Sequence, residues 1–399
     1  MEIQLNSSEV KRHACGYGRS RRWLGITYVG AIVLASLTIL LSGTVTKVFG
    51  SQDSSSTTWF VNVFVFVAAY EVLALPFDVA GFAIERLHGR TDQKLHDYLI
   101  SLVKAVTKHA LLLTASAFAV TASVRSAGIP GLLIGSLALS VLLIWKQTEL
   151  ARLLSDISFH EPPQEILAAF PQNRTGVVPL VTARNSQHGF TGGVVGLPGA
   201  ESIVIPEKWL SALSPLELWA EVTRRNAIVR SGGRTRGVGL AVGFTLSGIL
   251  LSALTTQEFF FLSVGSSAGL VTMSLCFTLW SFVGLLTLPY PSRSGTYEAD
   301  KLAADRGVSR DLLSQTLSKI DKDLEEEPTR TAIVEAVFHP VPTVINRLRR
   351  LDGSSAEITG AWHSARYAIV LSVIGLGLLG RAVHCNAGKP ELWGMLPAD

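Results

Sequence analysis

The chain has 399 residues, of which 48% are hydrophobic and 17% charged, with a mean hydropathy of +0.36. That balance excludes an ordinary soluble globular chain and points to a membrane protein. The net charge of +4 then reads as membrane orientation rather than as a nucleic-acid surface.

Residues 1–22 form a basic arm carrying Lys11, Arg12, Arg19, Arg21 and Arg22. A bilayer crossing takes roughly 20 apolar residues, and several stretches qualify. Trp23–Thr46 has no charge, and Thr58–Ile84 is apolar apart from Glu71 and Asp78. Ala105–Val124 and Ser126–Trp145 are broken only by Arg125 and the turn signal GIPG. Residues 23–145 are thus predicted to hold four transmembrane helices. After a polar region, 146–236, Gly237–Thr256 and Phe259–Tyr290 form a transmembrane hairpin over 237–290. A second polar region, 291–360, precedes a last span, Ala361–Val383, whose Arg366 and Arg381 sit near enough to its ends to snorkel; with an outer tail it makes up 361–399. The fold class is therefore mostly α, polytopic, with about seven transmembrane helices.

Basic loops stay on the cytoplasmic side. The basic arm precedes the first span and SQDSSSTT, which follows it, has no basic residue, so the N-terminus is predicted cytoplasmic. Alternation then places both polar regions inside, and the Arg125 turn, the connection TTQE and the tail with Cys385 outside. No cleavable signal is expected, because the first apolar stretch is too long. Cys15, Cys276 and Cys385 fall in three different compartments, which predicts no disulfide, and the sequon at Asn173 falls on the cytoplasmic side. Short loops and the lack of appended targeting signals favour a bacterial inner membrane over the endoplasmic reticulum.

The two polar regions are expected to fold together as one cytoplasmic α+β domain. VVPLVTARN, GFTGGVVGLPG and ESIVIPEKWL read as short strands broken by glycines. A helix should start at Ser214, where Ser-Pro supplies the N-cap and first-turn proline and Glu217 completes a capping box. Gly307 is a stop between two further helices. Glu71 and Asp78, two helical turns apart within a span, should face an interior partner: they line a polar chamber or pair with Lys104 or His109.

Four segments carry a resemblance. LPFDVAGFAIERLHGRTDQKLHDYLISLVKA, SIVIPEKWLSALSPLELWAEV, SRSGTYEADKLAADRG and FHPVPTVINRLRRL, in that order, resemble the membrane-embedded zinc metallopeptidases of the type I CAAX prenyl protease and HtpX group. The resemblance implies a zincin-like cytoplasmic domain split by the transmembrane hairpin. It also implies that Glu298 stands at the third zinc ligand and that His339 and Arg347 lie near a substrate-like cleft, although capping or packing is the simpler account of that pair. A zincin needs two histidines at i and i+4 with an adjacent glutamate as general base. Here those positions fall on Arg224, Arg225 and Ile228. A guanidinium offers no lone pair and takes no proton, and isoleucine offers no ligand. No catalytic residue and no metal are therefore expected, Glu298 being the one ligand-type residue retained, and Arg224 is expected to neutralise it in place of the zinc. The functional expectation is a pseudoprotease in the lipid bilayer that binds membrane-protein or lipidated peptide segments, or an active protease partner. The alternatives are an active metalloendopeptidase with an unorthodox zinc site, in which His188 or His339 joins Glu298, and a transporter or channel using Glu71 and Asp78.

Overall fold

The computed structural model describes residues 7–53, 55–155, 157–168, 170, 178–185, 189–324, 330–352, 359–383 and 385–393. The sequon at Asn173 and His188 lie outside them. Among the described residues, five helices are long and apolar enough to cross a membrane.

The chain opens with α1 (Ser7–Leu41), a short α2 (Thr44–Phe49), α3 (Ser56–Leu87) and the long α4 (Leu95–Trp145). Helix α4 folds back on itself where Ala127 and Gly128 leave helical geometry, Gly128 with φ of 60°. Small residues let the two arms touch: a Cβ on Gly131 would stand 2.3 Å from the Ser123 carbonyl oxygen, and one on Gly135 would stand 2.3 Å from Ser123 Oγ. These arms are the pair of apolar stretches read on either side of Arg125.

The α+β part begins with α5 (Gln147–Leu154), β1 (Ser158–His160) and α6 (Gln164–Ala168), then β2 (Leu180–Arg184), β3 (Gly193–Val195), β4 (Ser202–Pro206), α7 (Trp209–Ala212) and α8 (Pro215–Arg230). The sheet has the order β1-β2-β4-β3, with β2 parallel to β4 and the outer pairs antiparallel. Central β4 is covered on both faces, and its Ile203, Val204 and Ile205 are fully buried, which is why it reads as a continuous apolar run. Helix α8 starts as expected: Ser214 Oγ accepts from the Glu217 N–H while Glu217 Oε2 accepts from the Ser214 N–H.

Helix α9 (Gly233–Leu254) runs on through a π-helical turn, Thr255–Phe259, so the predicted connection TTQE is helical. The chain turns instead over residues 260–266, whose Gly265 carbonyl accepts from Arg125 Nε and Nη2. Helix α10 (Ser267–Thr287) leads almost without a break into α11 (Pro289–Asp305). Then come α12 (Arg310–Leu324), α13 (Ala332–Phe338), α14 (Val344–Asp352) and α15 (Ser364–Leu371). Gly307, at φ of 91°, separates α11 from α12 as its position predicted.

The predicted seventh span is not a crossing. Helix α15 has 8 residues and continues as a 3₁₀ turn, Ser372–Gly375, so the helical run reaches only about 18 Å at 1.5 Å per residue, against a hydrocarbon core of about 30 Å. At Leu376 (φ 56°) the chain reverses inside the bundle. The Leu376 carbonyl accepts from Ser274 Oγ on α10, and the Leu378 carbonyl accepts from the Tyr70 hydroxyl on α3. The returning segment then follows α3 back toward its C-terminal end, where the Gly388 N–H donates to Asp78 Oδ1 and Lys389 Nζ reaches Glu85 and the Tyr17 hydroxyl near the start of α1. Gly81 permits this approach, because a Cβ there would stand 2.6 Å from the Ala387 carbonyl oxygen. The segment with Cys385 thus forms a re-entrant hairpin that comes back to the end it entered from, not an outer tail.

Candidate functional site

Helix α8 carries Glu221, Arg224, Arg225 and Ile228 on one face, at spacings of three and four residues. All four are buried. Glu221 is the anion of the group: Arg224 donates to both its oxygens from Nε and Nη2 at 2.8 Å, and Arg225 Nε donates to Oε1 at 2.7 Å. The rest of the Arg225 fork is spent on backbone, with Nη1 donating to the Val204 carbonyl at 2.7 Å and Nη2 to the Thr191 carbonyl at 2.8 Å. Its guanidinium lies 5.3 Å from the centre of the Trp209 ring. Gly192, at φ of 72°, makes room for this clamp, since a Cβ there would stand 3.2 Å from Arg225 Nη1 and 2.2 Å from the Val204 oxygen. Ile228 is fully buried among Ile203, Ile205 and Trp209, against Gly233.

The expected pairing of Arg224 with Glu298 is not what forms. Glu298 accepts from Arg236 Nη2 at 2.6 and 2.7 Å, from the Gly360 N–H at 2.9 Å and from Ser231 Oγ at 3.2 Å. Helix geometry explains the difference. Residues two apart on α11 point about 200° apart at 3.6 per turn, and it is Thr296 that borders the small cleft with Glu221 and Arg224. Glu298 therefore faces the α8–α9 junction and is no ligand-type residue of the cleft; the arginine opposite it is Arg236, in the first turn of α9. The cleft has about 40 Å³ of free space, room for a few waters. Asp321 also borders it; burial pushes its carboxyl above the ordinary value while Arg330 and Arg347 pull it back.

Arg347 sits at the cleft but is locked into Asp300 by Nε at 2.7 Å and Nη2 at 2.5 Å, both side chains buried. His339 closes α13, and its carbonyl accepts from Arg293. Its ring borders a second, larger cavity of about 360 Å³, lined chiefly by apolar side chains of α1 and α10 such as Ile26, Val29 and Phe282. Val341 and Arg366 border both spaces, which therefore adjoin.

Glu71 and Asp78 share one buried partner that was expected to snorkel: Arg381 of the re-entrant hairpin donates to both. His109 Nδ1 lies 2.8 Å from Glu71 Oε1, while exposed Lys104 pairs with neither acid. The signal for Arg381 was available, because two acids inside one span demand a buried cation. Arg234 was missed altogether: it is fully buried and donates to Glu201 Oε1, the Gly196 carbonyl and the Tyr367 hydroxyl, tying β3 and α15 to α9. Among the described residues no three His, Cys, Asp or Glu side chains stand where they would hold a metal ion. The donor set at Arg224, Arg225, Ile228 and Thr296 does not fit zinc.

No protein-family model matches the chain, and no curated protein matches it by sequence. By shape it matches the crystal structure of S. mikatae Ste24p, with a TM-score of 0.69 at 12% identity, over 88% of this chain and 92% of that one. The chain shares the fold of that polytopic protein.

Proposed function

We propose that the chain is a multi-pass membrane protein built on a peptidase scaffold whose cleft binds amphiphilic segments without cutting them. The observation that carries this reading is Arg225. At the position that the resemblance assigns to the general base stands a permanent cation whose donors are committed to Glu221 and two backbone carbonyls. The Ste24p-like fold and the ordered sequence resemblance support the peptidase ancestry, and no metal is needed by the residues that replace the motif. The apolar cavity beside the cleft, with Arg22, His339 and Arg366 on its border, suits a lipid chain followed by a polar or anionic peptide. The basic arm supports a cytoplasmic N-terminus, and the short loops support a bacterial inner membrane.

Elemental analysis of protein from zinc-supplemented cells should find zinc well below one per chain, unchanged in Glu298→Ala. A stoichiometric ion held by the chain sinks the reading. A photoreactive peptide ending in a lipidated cysteine should crosslink around Ile26 and remain intact, and Ile26→Trp, which fills the cavity, should weaken the capture.

A further inference from the structure

The intramembrane cluster carries an imbalance of charge. Arg381 serves two carboxylates, Glu71 and Asp78, so one negative charge is left over. The groups facing it come from every neighbouring element. Helix α3 adds Tyr70, whose hydroxyl is used on the Leu378 carbonyl. Helix α4 adds His109, on Glu71, and Tyr98, whose hydroxyl donates to the Asp78 carbonyl. The hairpin adds the Gly388 N–H, on Asp78 Oδ1, and Trp393, whose ring centre lies 3.8 Å from the Arg381 guanidinium carbon. Helix α1 adds Tyr28, stacked on Phe77 at 4.4 Å. The polar groups that helix α10 presents to the hairpin tip are the hydroxyls of Ser274 and Thr278. Lys104 and Lys108 pair with neither acid, and the next charges, Glu85 with Lys389 and Arg21, lie two turns along α3 in a network of their own. One proton bound by the cluster, on His109 or on either carboxyl, brings it to neutrality.

We propose that Glu71, Asp78, Arg381 and His109 form a binding site for a single exchangeable proton, shared among His109 and the two carboxyls, and that its occupancy keeps the re-entrant hairpin seated. A net charge in a bilayer interior is costly. With the proton bound the cluster is neutral and Arg381 stays between both acids. When the proton leaves for bulk water, the surplus anion draws in water and loosens the hairpin that supplies Arg381. A second observation points to the same exchange. Arg381 Nε is buried with no hydrogen-bond partner among the described residues, a donor that a water drawn into the cluster would satisfy.

Hydrogen exchange of residues 376–393, measured on the full chain in nanodiscs and normalised to intrinsic rates, tests this. The wild-type segment should be protected at low pH and exchange about tenfold faster per pH unit once the cluster loses its proton. His109→Gln should exchange faster than the wild type near neutral pH and regain protection in acid, where a carboxyl takes up the proton. Glu71→Gln, which leaves Arg381 balanced by Asp78, should be protected at every pH, and adding Glu71→Gln to His109→Gln should restore protection. A purely structural role for His109 predicts no such rescue. The proposal is overturned by a flat wild-type profile, by an unrescued double variant, or by exchange that follows sodium at fixed pH.

Discussion

Two buried clusters, one in the α+β part and one among the apolar helices, solve the same problem with opposite surpluses. At the cleft, one carboxylate, Glu221, serves two guanidiniums, and the extra positive charge is absorbed by the Val204 and Thr191 carbonyls. Between the helices, two carboxylates serve one guanidinium, and the extra negative charge faces a histidine. Backbone dipoles are fixed, so the first arrangement is permanent. A histidine and two carboxyls can each take up or release a proton, so the second is exchangeable. A chain that needed only stability would have little use for the second kind.

Removing the odd-charged partner from each cluster sharpens this contrast. Glu221→Ala removes the carboxylate that two arginines share, and neither guanidinium can neutralise itself, so the cost should lie at the upper end of about 3–5 kcal/mol at any pH. Thermal unfolding in detergent should show a large fall in Tm that acid does not relieve. Arg381→Leu strands two carboxylates, which can take up protons, so its cost should lie toward the lower end of about 3–5 kcal/mol near neutral pH and shrink as the pH falls. Equal pH behaviour in the two variants breaks the comparison. Arg236→Ala should cost less, about 1–2 kcal/mol, because Arg236 is over a third exposed and Glu298 keeps the Gly360 N–H and Ser231. If Arg224 rather than Arg236 neutralises Glu298, this variant will be silent in the same melt.

What was legible in the sequence was local. The α8 cap is set by Ser214, Pro215 and Glu217, the helix break by Gly307 and the α4 turn by Gly128 and Pro130, residues whose backbone demands act within a few positions. The apolar runs likewise mark their own helices. What was not legible was the partner of each buried charge, because Arg236 and Glu298 lie 62 residues apart and Arg381 and Glu71 lie 310 apart. Alignment by resemblance placed Glu298 opposite the motif helix, whereas a two-residue offset on α11 turns it away and leaves Thr296 there. Hydropathy likewise cannot tell a short crossing from a hairpin, since both are apolar; only the reversal at Leu376 decides it.

The smallest effect belongs to the capping box that seats α8 and so aims both arginines. Burial pushes the Glu217 carboxyl up, but the Lys319 ammonium, at 2.7 Å, and the Ser214 N–H and hydroxyl outweigh it and hold the carboxyl below its ordinary value. A carboxyl depressed in the folded state stabilises the fold above its unfolded value, about 4.3, and loses that contribution as pH falls through its folded value. Glu217→Gln should therefore cost about 0.5–1 kcal/mol near pH 7. The gap in Tm between variant and wild type should close as the pH drops below the ordinary carboxylate range. Lys319→Met should remove part of the same pH dependence while leaving the Ser214 contacts in place. A gap that persists in acid assigns the stabilisation to the shape of the cap rather than to its charge, and would detach α8 from the electrostatics of the cleft it carries.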